Sequence, residues 1–180
     1  DLTDTLVDGI DAMRLAGPKY LPQFPAEMND NYKFRLAHTT VMTNIFADIV
    51  ESLSVKPFEK ETALVGTDVP QELIDFSNDV DGSGNNLSVF AANHFYNAVK
   101  SGIDWLFVDY PSVSDEIVTL ADAKASNIRP FWTRILGRNV LEARSKFIVS
   151  REQLVYVRIF EPGKPDHVRV MERDDVGLVT

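Results

Sequence analysis

The stretch from Asp79 to Pro111 constrains the fold most, because its elements follow one another in a specific order. A polar turn over residues 79–86 leads into an amphipathic helix, a glycine stop at Gly102 and an apolar strand over 105–108. The strand is apolar on both faces, which predicts an interior position in a sheet covered on both sides. The helix has one face at helical spacing that is predicted to be buried: Leu87, Phe90, Ala91, His94, Phe95 and Ala98.

The first half of the chain is predicted to be mostly helical. Apolar residues recur at helical spacing from the start of the chain, and Gly17-Pro18 ends that first helix. Asn29 or Asp30 is expected to cap a long second helix. A short helix with proline near its first turn is predicted over residues 69–76. The later turns of the second helix are expected to place one broad apolar side in the core: Met42, Ile45, Phe46, Ile49, Val50 and Leu53.

The second half is predicted to be rich in strands. Residues 129–136 form a possible strand, and residues 153–160 alternate in the manner of a strand. A turn over 161–165 leads to a hairpin partner over 167–171. Residues 110–127 are polar and are expected to form a loop with a short helix. The fold class that follows is α+β, with helices packed on a mixed, mostly antiparallel sheet.

The length of 180 residues suits one globular domain. We expect a helical N-terminal part over residues 1–55 and a helix-plus-sheet part over 56–180. The sequence stops at Gly-Leu-Val-Thr180 without a cap or a charged tail. It therefore reads as a fragment of a longer protein, and an edge strand at a natural C-terminus is the alternative.

Composition excludes several classes of function. The chain has no cysteine, which rules out disulfides, thiolate metal sites and thiol nucleophiles. No apolar run approaches the roughly 20 residues of a membrane span, so we predict a soluble intracellular chain with no membrane partner. The formal charge of −9 argues against a broad phosphate-binding surface. Four arginines could still form a local basic cluster, although solvated side chains are the simpler interpretation: Arg129, Arg134, Arg138 and Arg144.

The polar turn contains a partial match to a calcium-binding loop. Asp79, Asp81 and Ser83 are the candidate ligands, because short oxygen side chains at alternate positions surround Ca²⁺ in an EF-hand. The rest of the loop departs from that pattern, since Phe90 stands where the bidentate glutamate is required. We therefore predict a structural turn in which Asn85 or Asn86 caps the following helix.

No catalytic residue and no cofactor is predicted. Asp109 follows a strand, a position from which metal-dependent nucleases present a carboxylate, but no second acid and lysine follow at a matching spacing. His38, His94 and His167 lack a short-range metal partner. His94 lies on the apolar helix face and is expected to be a hydrogen-bonded core or interface residue. On chemistry alone, the chain is a structural or interaction domain.

An ordered set of motifs covers nearly all of the chain. The motifs are Tyr20-Leu-Pro22, Tyr32, Arg35, Ala37, Asn44, Phe58, Asp79-x-Asp-Gly-x-Gly, Leu87, Phe90, Gly102, Val108-Asp-Tyr-Pro111, Arg129-Pro130 and Val155-x-Val-Arg-Ile-Phe-Glu161. In this order and spacing the set resembles the portal-like family of tailed-phage and prophage proteins, whose chains are considerably longer.

The resemblance implies a subunit of a portal ring, without an active site. Such a ring is typically a dodecamer at one vertex of the capsid, and double-stranded DNA passes through it without sequence-specific binding. The implied partners are further copies of the chain, terminase, capsid or scaffolding protein and the head–tail connector. The implied location is the virion, or the host cytoplasm during assembly. This chain would form the outer, wing-like part of the subunit.

The connector around Tyr20 and Phe24 is the candidate interface. Its prolines stiffen a short arm that carries aromatic side chains, and Tyr32 and Arg35 follow on the next helix. The arm could equally fold back over the core of its own domain. Two other functions remain open, namely a stand-alone bacterial protein–protein interaction domain without catalysis and a metal-binding hydrolase.

Overall fold

The chain divides into two compact units. The structure is a computed structural model that describes residues 1–111, 128–163 and 165–173. A helical unit spans Asp1–Gly102, and a strand-rich unit spans Ile103–Thr180. The helix after the polar turn was expected in the helix-plus-sheet part over 56–180, whereas its contacts place it in the helical unit.

Six α-helices form the helical unit. Short 3-10 turns follow the second and fourth helices, and a π-helical turn continues the third. Three predicted boundaries are confirmed, because α2 ends at Gly17, α5 starts after Pro70 and α6 ends at Gly102. The helices are α1 (Leu2–Asp8), α2 (Ile10–Ala16), α3 (Asn29–Phe34), α4 (Ile45–Val55), α5 (Gln71–Asn78) and α6 (Leu87–Ser101).

Polar side chains join the ends of these helices. Asn44 Nδ2 donates to the Leu6 carbonyl oxygen at 2.7 Å, while Asn44 Oδ1 accepts from the Ala47 backbone N–H at 3.1 Å and caps α4. Lys100 Nζ lies 2.6 Å from Asp4 Oδ1, so α6 is tied to α1. Since α4 packs against both α1 and α6, these two contacts fix the three helices that surround the core.

The core of the helical unit is small. Val50 on α4 and Val80 in the polar turn are the most completely buried, and Phe90 on α6 and Tyr32 on α3 are also buried. Ser54, one turn after Val50 on α4, is also buried and donates to the Val50 carbonyl oxygen at 2.7 Å. The face of α6 that was predicted to be buried is only partly buried, because Phe95 remains 37% exposed.

The predicted long second helix is wrong. The helix that starts at Asn29 ends at Thr39, and an extended segment separates it from α4. The β-branched residues of the run Thr40-Val-Met-Thr43 disfavour helix, and Asn44 caps a new helix, α4. Ile45, Ile49 and Leu53, which were expected in the core, consequently lie about half exposed.

The first predicted helix is also interrupted. Gly9 has a φ of 83°, a left-handed conformation that glycine adopts without a steric penalty. It separates α1 from α2, and its backbone N–H closes α1 on Thr5 and Leu6. Asn29, a predicted cap, is instead the first residue of α3 after an extended Met28.

Antiparallel strands form the described part of the strand-rich unit. β1 pairs with β2, from Asp104 opposite Leu136 to Asp109 opposite Phe131. β4 is central in a second sheet of order β3-β4-β5. The strands are β1 (Asp104–Asp109), β2 (Phe131–Leu136), β3 (Val140–Ile148), β4 (Arg151–Glu161) and β5 (His167–Glu172).

An arginine joins the two sheets of this unit. Arg169 on β5 lies 2.7 Å from Glu161 on β4 and 3.5 Å from Asp109 at the end of β1. The same guanidinium lies 5.3 Å from the centre of the Phe107 ring. One cation thus bridges two carboxylates on different sheets.

The α+β class and the antiparallel β4–β5 hairpin are confirmed. The interior position predicted for β1 is wrong. Within the described residues β1 pairs with β2 in a two-stranded sheet, and its residues Leu106 and Val108 are exposed. When a run is apolar throughout, periodicity alone cannot distinguish a covered strand from an exposed one.

Strand β3 was not predicted, because its charged residues obscure the alternation of apolar and polar positions. The packing of helices on the sheet stays a prediction.

Some predictions lie outside the described residues. These concern most of the loop over 110–127, Lys164 in the predicted turn and the last seven residues.

Replacing Val80 by alanine should lower the free energy of unfolding of the helical unit by about 2 kcal/mol, because a fully buried side chain loses two methyl groups. Urea unfolding followed by helical circular dichroism measures this. Val65→Ala is the matched control, since Val65 is 95% exposed and its truncation should change stability by less than about 0.5 kcal/mol. Equal effects of the two substitutions would contradict the assigned core.

Candidate subunit interface

Residues 20–28, called the arm below, connect the 3-10 turn after α2 to the start of α3. The backbone of the arm is held by side chains from α3 and the π-helical turn that follows it. Tyr32 donates its hydroxyl proton to the Leu21 carbonyl oxygen at 2.8 Å, and Arg35 Nη2 donates to the Pro22 carbonyl oxygen at 3.0 Å. The arm is therefore anchored at two consecutive residues.

A bidentate ion pair closes the arm. Arg35 donates from Nε to Glu27 Oε1 at 2.8 Å and from Nη2 to Glu27 Oε2 at 2.9 Å. Glu27 Oε2 also accepts from the Phe24 backbone N–H at 3.1 Å, and Gln23 Nε2 donates to the Glu27 carbonyl oxygen at 2.7 Å. These bonds shape residues 23–27 into a closed loop.

The electrostatics of this pair follow from the same contacts. The hydrogen bond from Arg35 lowers the pKa of Glu27 below its ordinary value, and partial burial opposes that shift without cancelling it. The hydrogen bond to Glu27 raises the pKa of Arg35 in turn. Both groups are therefore held in their charged forms.

The arm presents apolar surface outward. Phe24 is 61% exposed and Met28 is 67% exposed, although Phe24 has the Arg35 guanidinium 4.5 Å from its ring centre. Ordering an apolar side chain in advance lowers the entropy that a partner must remove on binding. Phe24 is therefore both exposed and held in place by Arg35 in the single chain.

The structure gives the four predicted interface residues different positions. Phe24 faces outward, whereas Tyr20 is half-buried with Lys19 5.0 Å from its ring centre. Tyr32 is buried and Arg35 is half-buried. Both side chains donate hydrogen bonds to the backbone of the arm. The sequence reasoning missed Glu27, which lies eight residues before Arg35, because no local spacing rule pairs residues across a loop of that length.

The polar turn over residues 79–86 is a second ordered feature. Asp81 accepts from the backbone N–H of Ser83 at 2.9 Å and from Asn85 Nδ2 at 2.7 Å. Asn86 Oδ1 accepts from the Val89 backbone N–H at 2.9 Å, which confirms that Asn86 caps α6. The turn thereby fixes Val80 inward and the start of α6.

The pKa of Asp81 reports two opposing effects. Partial burial acts to raise it, and the hydrogen bonds from Asn85 and from the backbone N–H groups of Ser83 and Asn85 act to lower it. The hydrogen bonds together outweigh burial, so the pKa lies below the ordinary value.

The candidate calcium ligands are used by the turn itself. Asp79 Oδ1 accepts from the Gly84 backbone N–H at 2.9 Å, and both carboxylate oxygens of Asp81 accept hydrogen bonds. Ser83 is exposed. Across the described residues, no group of three or more His, Cys, Asp or Glu side chains is arranged to hold a metal ion.

The other chemical candidates are dispersed. Asp109 is engaged with Arg169 and accepts from the Tyr110 backbone N–H at 2.8 Å. His94 lies 6.4 Å from Phe90 between ring centres, as a residue of the α6 packing face. The four arginines of the possible cluster lie on separate elements, before β2, in β2, in the turn after it and in β3.

No protein-family model and no curated protein matches the chain. None of the helices in the described ranges has both the length and the apolar character needed to cross a membrane.

The arm should loosen in acid. Because the folded pKa of Glu27 lies below its ordinary 4.5, its contact with Arg35 contributes fully above about pH 4.5 and is lost as the pH falls through the lowered value. Hydrogen-exchange protection of residues 20–28 should therefore fall on acidification. Glu27→Gln should show the same low protection already at pH 7.

Asp30→Asn is the matched control for this experiment, because Asp30 is an exposed acid on α3. Full protection of the arm in Glu27→Gln at pH 7 would contradict its role.

Removing the Asp81 carboxylate should destabilise the helical unit. Asp81→Ala leaves the turn without the acceptor of several hydrogen bonds, and we expect a loss of about 1–2 kcal/mol in urea unfolding. Ser83→Ala keeps the backbone N–H that binds Asp81 and should have little effect. A loss of stability in Ser83→Ala that equals that of Asp81→Ala would show that the carboxylate is not the organising group.

Proposed function

We propose that the chain is part of a structural subunit of a portal ring of a tailed phage or prophage. In this role it forms the outer, wing-like part of the subunit, where neighbouring copies meet. The ring is the conduit through which double-stranded DNA enters and leaves the capsid. Terminase, capsid or scaffolding protein and the head–tail connector are the other proposed partners.

The observation that carries the proposal is the connected arm. Tyr20-Leu-Pro22, Tyr32 and Arg35 are separate motifs in the sequence that resembles portal proteins. In the structure Tyr32 and Arg35 both bind the backbone of the first motif. Residues that share one local network have a common structural purpose, and here that purpose is to fix an exposed aromatic side chain.

Exposed apolar surface supports the same proposal. The arm exposes Phe24 and Met28, and α4 exposes Ile45, Ile49 and Leu53. Apolar side chains grouped in this way are typical of surfaces that a protein partner covers. A ring subunit has such a surface on each of two sides, because every copy has two neighbours.

The acidic balance is compatible with a DNA conduit. A formal charge of −9 disfavours neutralisation of many phosphates, which would hold the DNA in place. This supports passage of DNA without tight or sequence-specific binding.

The proposal is tested by the mass of the full-length protein in solution, from light scattering, with negative-stain images of the same fraction. We expect rings with a central hole. Phe24→Ala should weaken their assembly by about tenfold or more, because it removes an exposed aromatic anchor, and should leave monomer stability nearly unchanged.

Leu15→Ala is the matched control, since Leu15 is a 90% exposed apolar residue on α2, outside the arm. A wild-type protein that stays monomeric over a range of salt concentrations would overturn the proposal and favour a stand-alone interaction domain.

A further inference from the structure

Residues 61–66, called the linker segment below, lie between the 3-10 turn after α4 and the start of α5. They contain no helix, strand, turn or bend, so the chain is extended there. All six residues are exposed, although Ala63, Leu64 and Val65 are apolar. Exposed loops are usually built from Gly, Pro, Asn, Asp and Ser instead. The linker segment thus has the conformation of a strand without a neighbouring strand.

Thr62 fixes the direction in which the backbone of the linker segment faces. Its N–H donates to Ser88 Oγ on α6 at 2.7 Å, and its carbonyl oxygen accepts from the Ser88 hydroxyl at 3.2 Å. Successive residues of an extended chain point their backbone groups to opposite sides, so those of Ala63 and Val65 point away from α6. Among the described residues these groups make no hydrogen bond.

The side chains of the linker segment also alternate. Leu64 lines a cavity of about 250 Å³, whose apolar lining includes Ile74 on α5 and Leu87 on α6. Val65 points the other way and is 95% exposed. The linker segment therefore combines an open backbone edge with a cavity on its Leu64 side.

Strand β5 has an open edge of the same kind. It is the last strand of the β3-β4-β5 sheet, and in the part of the chain that the structure describes no strand lies on its outer side. Arg173 N–H donates to the Val155 carbonyl oxygen at 2.9 Å. In an antiparallel pair this pattern recurs at every second residue, so the backbone groups of Val168 and Val170 face outward, away from β4.

The two faces of β5 differ. Arg169 lies on the face that contacts β1, where it is 3.5 Å from Asp109 and its guanidinium is 5.3 Å from the centre of the Phe107 ring. Val168 and Val170 lie on the opposite face, and each is 47% exposed. That second face is the one that another molecule can reach.

We propose that the linker segment of one copy adds to the outer edge of β5 in the next copy as a parallel strand. The inference rests on the proposed ring and names a contact within it. Both edges offer backbone N–H and C=O groups that can pair with each other, and both elements are six residues long. Because one chain carries both halves on different surfaces, the contact is head to tail, the arrangement that generates rings.

The parallel direction follows from the side chains. In a parallel pair, a residue whose backbone groups face the partner strand lies opposite one whose groups face away. Leu64 then shares a face with Val168 and Val170, which enter the cavity beside it. Val65 shares the face of Arg169, so β1 lies on the solvent side of the linker segment. An antiparallel pair would instead turn β1 toward the cavity.

Val65→Pro in the full-length protein tests the backbone contact. Proline removes an N–H that makes no hydrogen bond in the described residues of a single chain, and its ring suits an extended segment. We expect ring assembly in light scattering to weaken by about tenfold or more, with an unchanged melting temperature. Val65→Thr is the matched control, because it keeps the N–H and the β-branched shape and should assemble like the wild type.

Val170→Pro is the corresponding change on β5, because the N–H that it removes faces away from β4. It should weaken assembly to a similar extent. Rings that survive both proline variants overturn the inference and leave the proposed ring intact. A monomeric wild type overturns the inference together with the proposed function.

Disulfides provide a readout of the direction. Residues 1–180 contain no cysteine, so an introduced pair has no competitor in this part of the chain. Leu64→Cys mixed with Val168→Cys or Val170→Cys should give disulfide-linked dimers on a non-reducing gel, because the side chains share one face. Neither variant should form them alone.

Val65→Cys is the matched control for the disulfide experiment, since its side chain lies on the opposite face and should not link to either β5 position. Links from Val65→Cys in the absence of links from Leu64→Cys would overturn the parallel contact. Assembled rings in which neither variant links to β5 would overturn the inference as a whole.

Discussion

Hydrogen bonds from side chains to the backbone hold the helical unit in shape, and they allow many of its apolar side chains to remain outside the core. Asn44 joins α1 to α4, Tyr32 and Arg35 hold the arm, and Asp81 closes the turn before α6. Each of these bonds fixes a loop or a helix end locally. The core can therefore stay small, around Val50 and Val80, while neighbouring surfaces keep an ordered apolar character.

The combination of a small core with ordered apolar side chains on the surface explains the proposed function in physical terms. A surface that is ordered before binding loses little entropy when a partner arrives. The Arg35–Glu27 pair gives the arm this property. Repetition of one such contact from copy to copy is what a ring requires.

Much of the fold could be predicted from the sequence because its signals are local. The Gly17 and Gly102 stops, the Asn86 cap and the β4–β5 hairpin each depend on a few neighbouring residues. The break at Thr40 has only a weak local signal in its β-branched residues, and the charged residues of β3 obscure its alternation. The exposure of Ile45, Ile49 and Leu53 could not be predicted, since it depends on which side of α4 packs against other helices. An exposed Phe24 was one of the two alternatives that the sequence left open for the arm. The pair of Glu27 and Arg35 that orders it is recognisable only once the loop is closed.

The central claim is that copies of this chain meet through surfaces that are exposed and ordered in the single chain. A cryo-electron microscopy reconstruction of the assembled full-length protein tests it most directly. The account predicts a closed ring with rotational symmetry, in which Phe24 is buried against a neighbour. A particle without rotational symmetry, or a ring in which Phe24 remains in solvent, would contradict it.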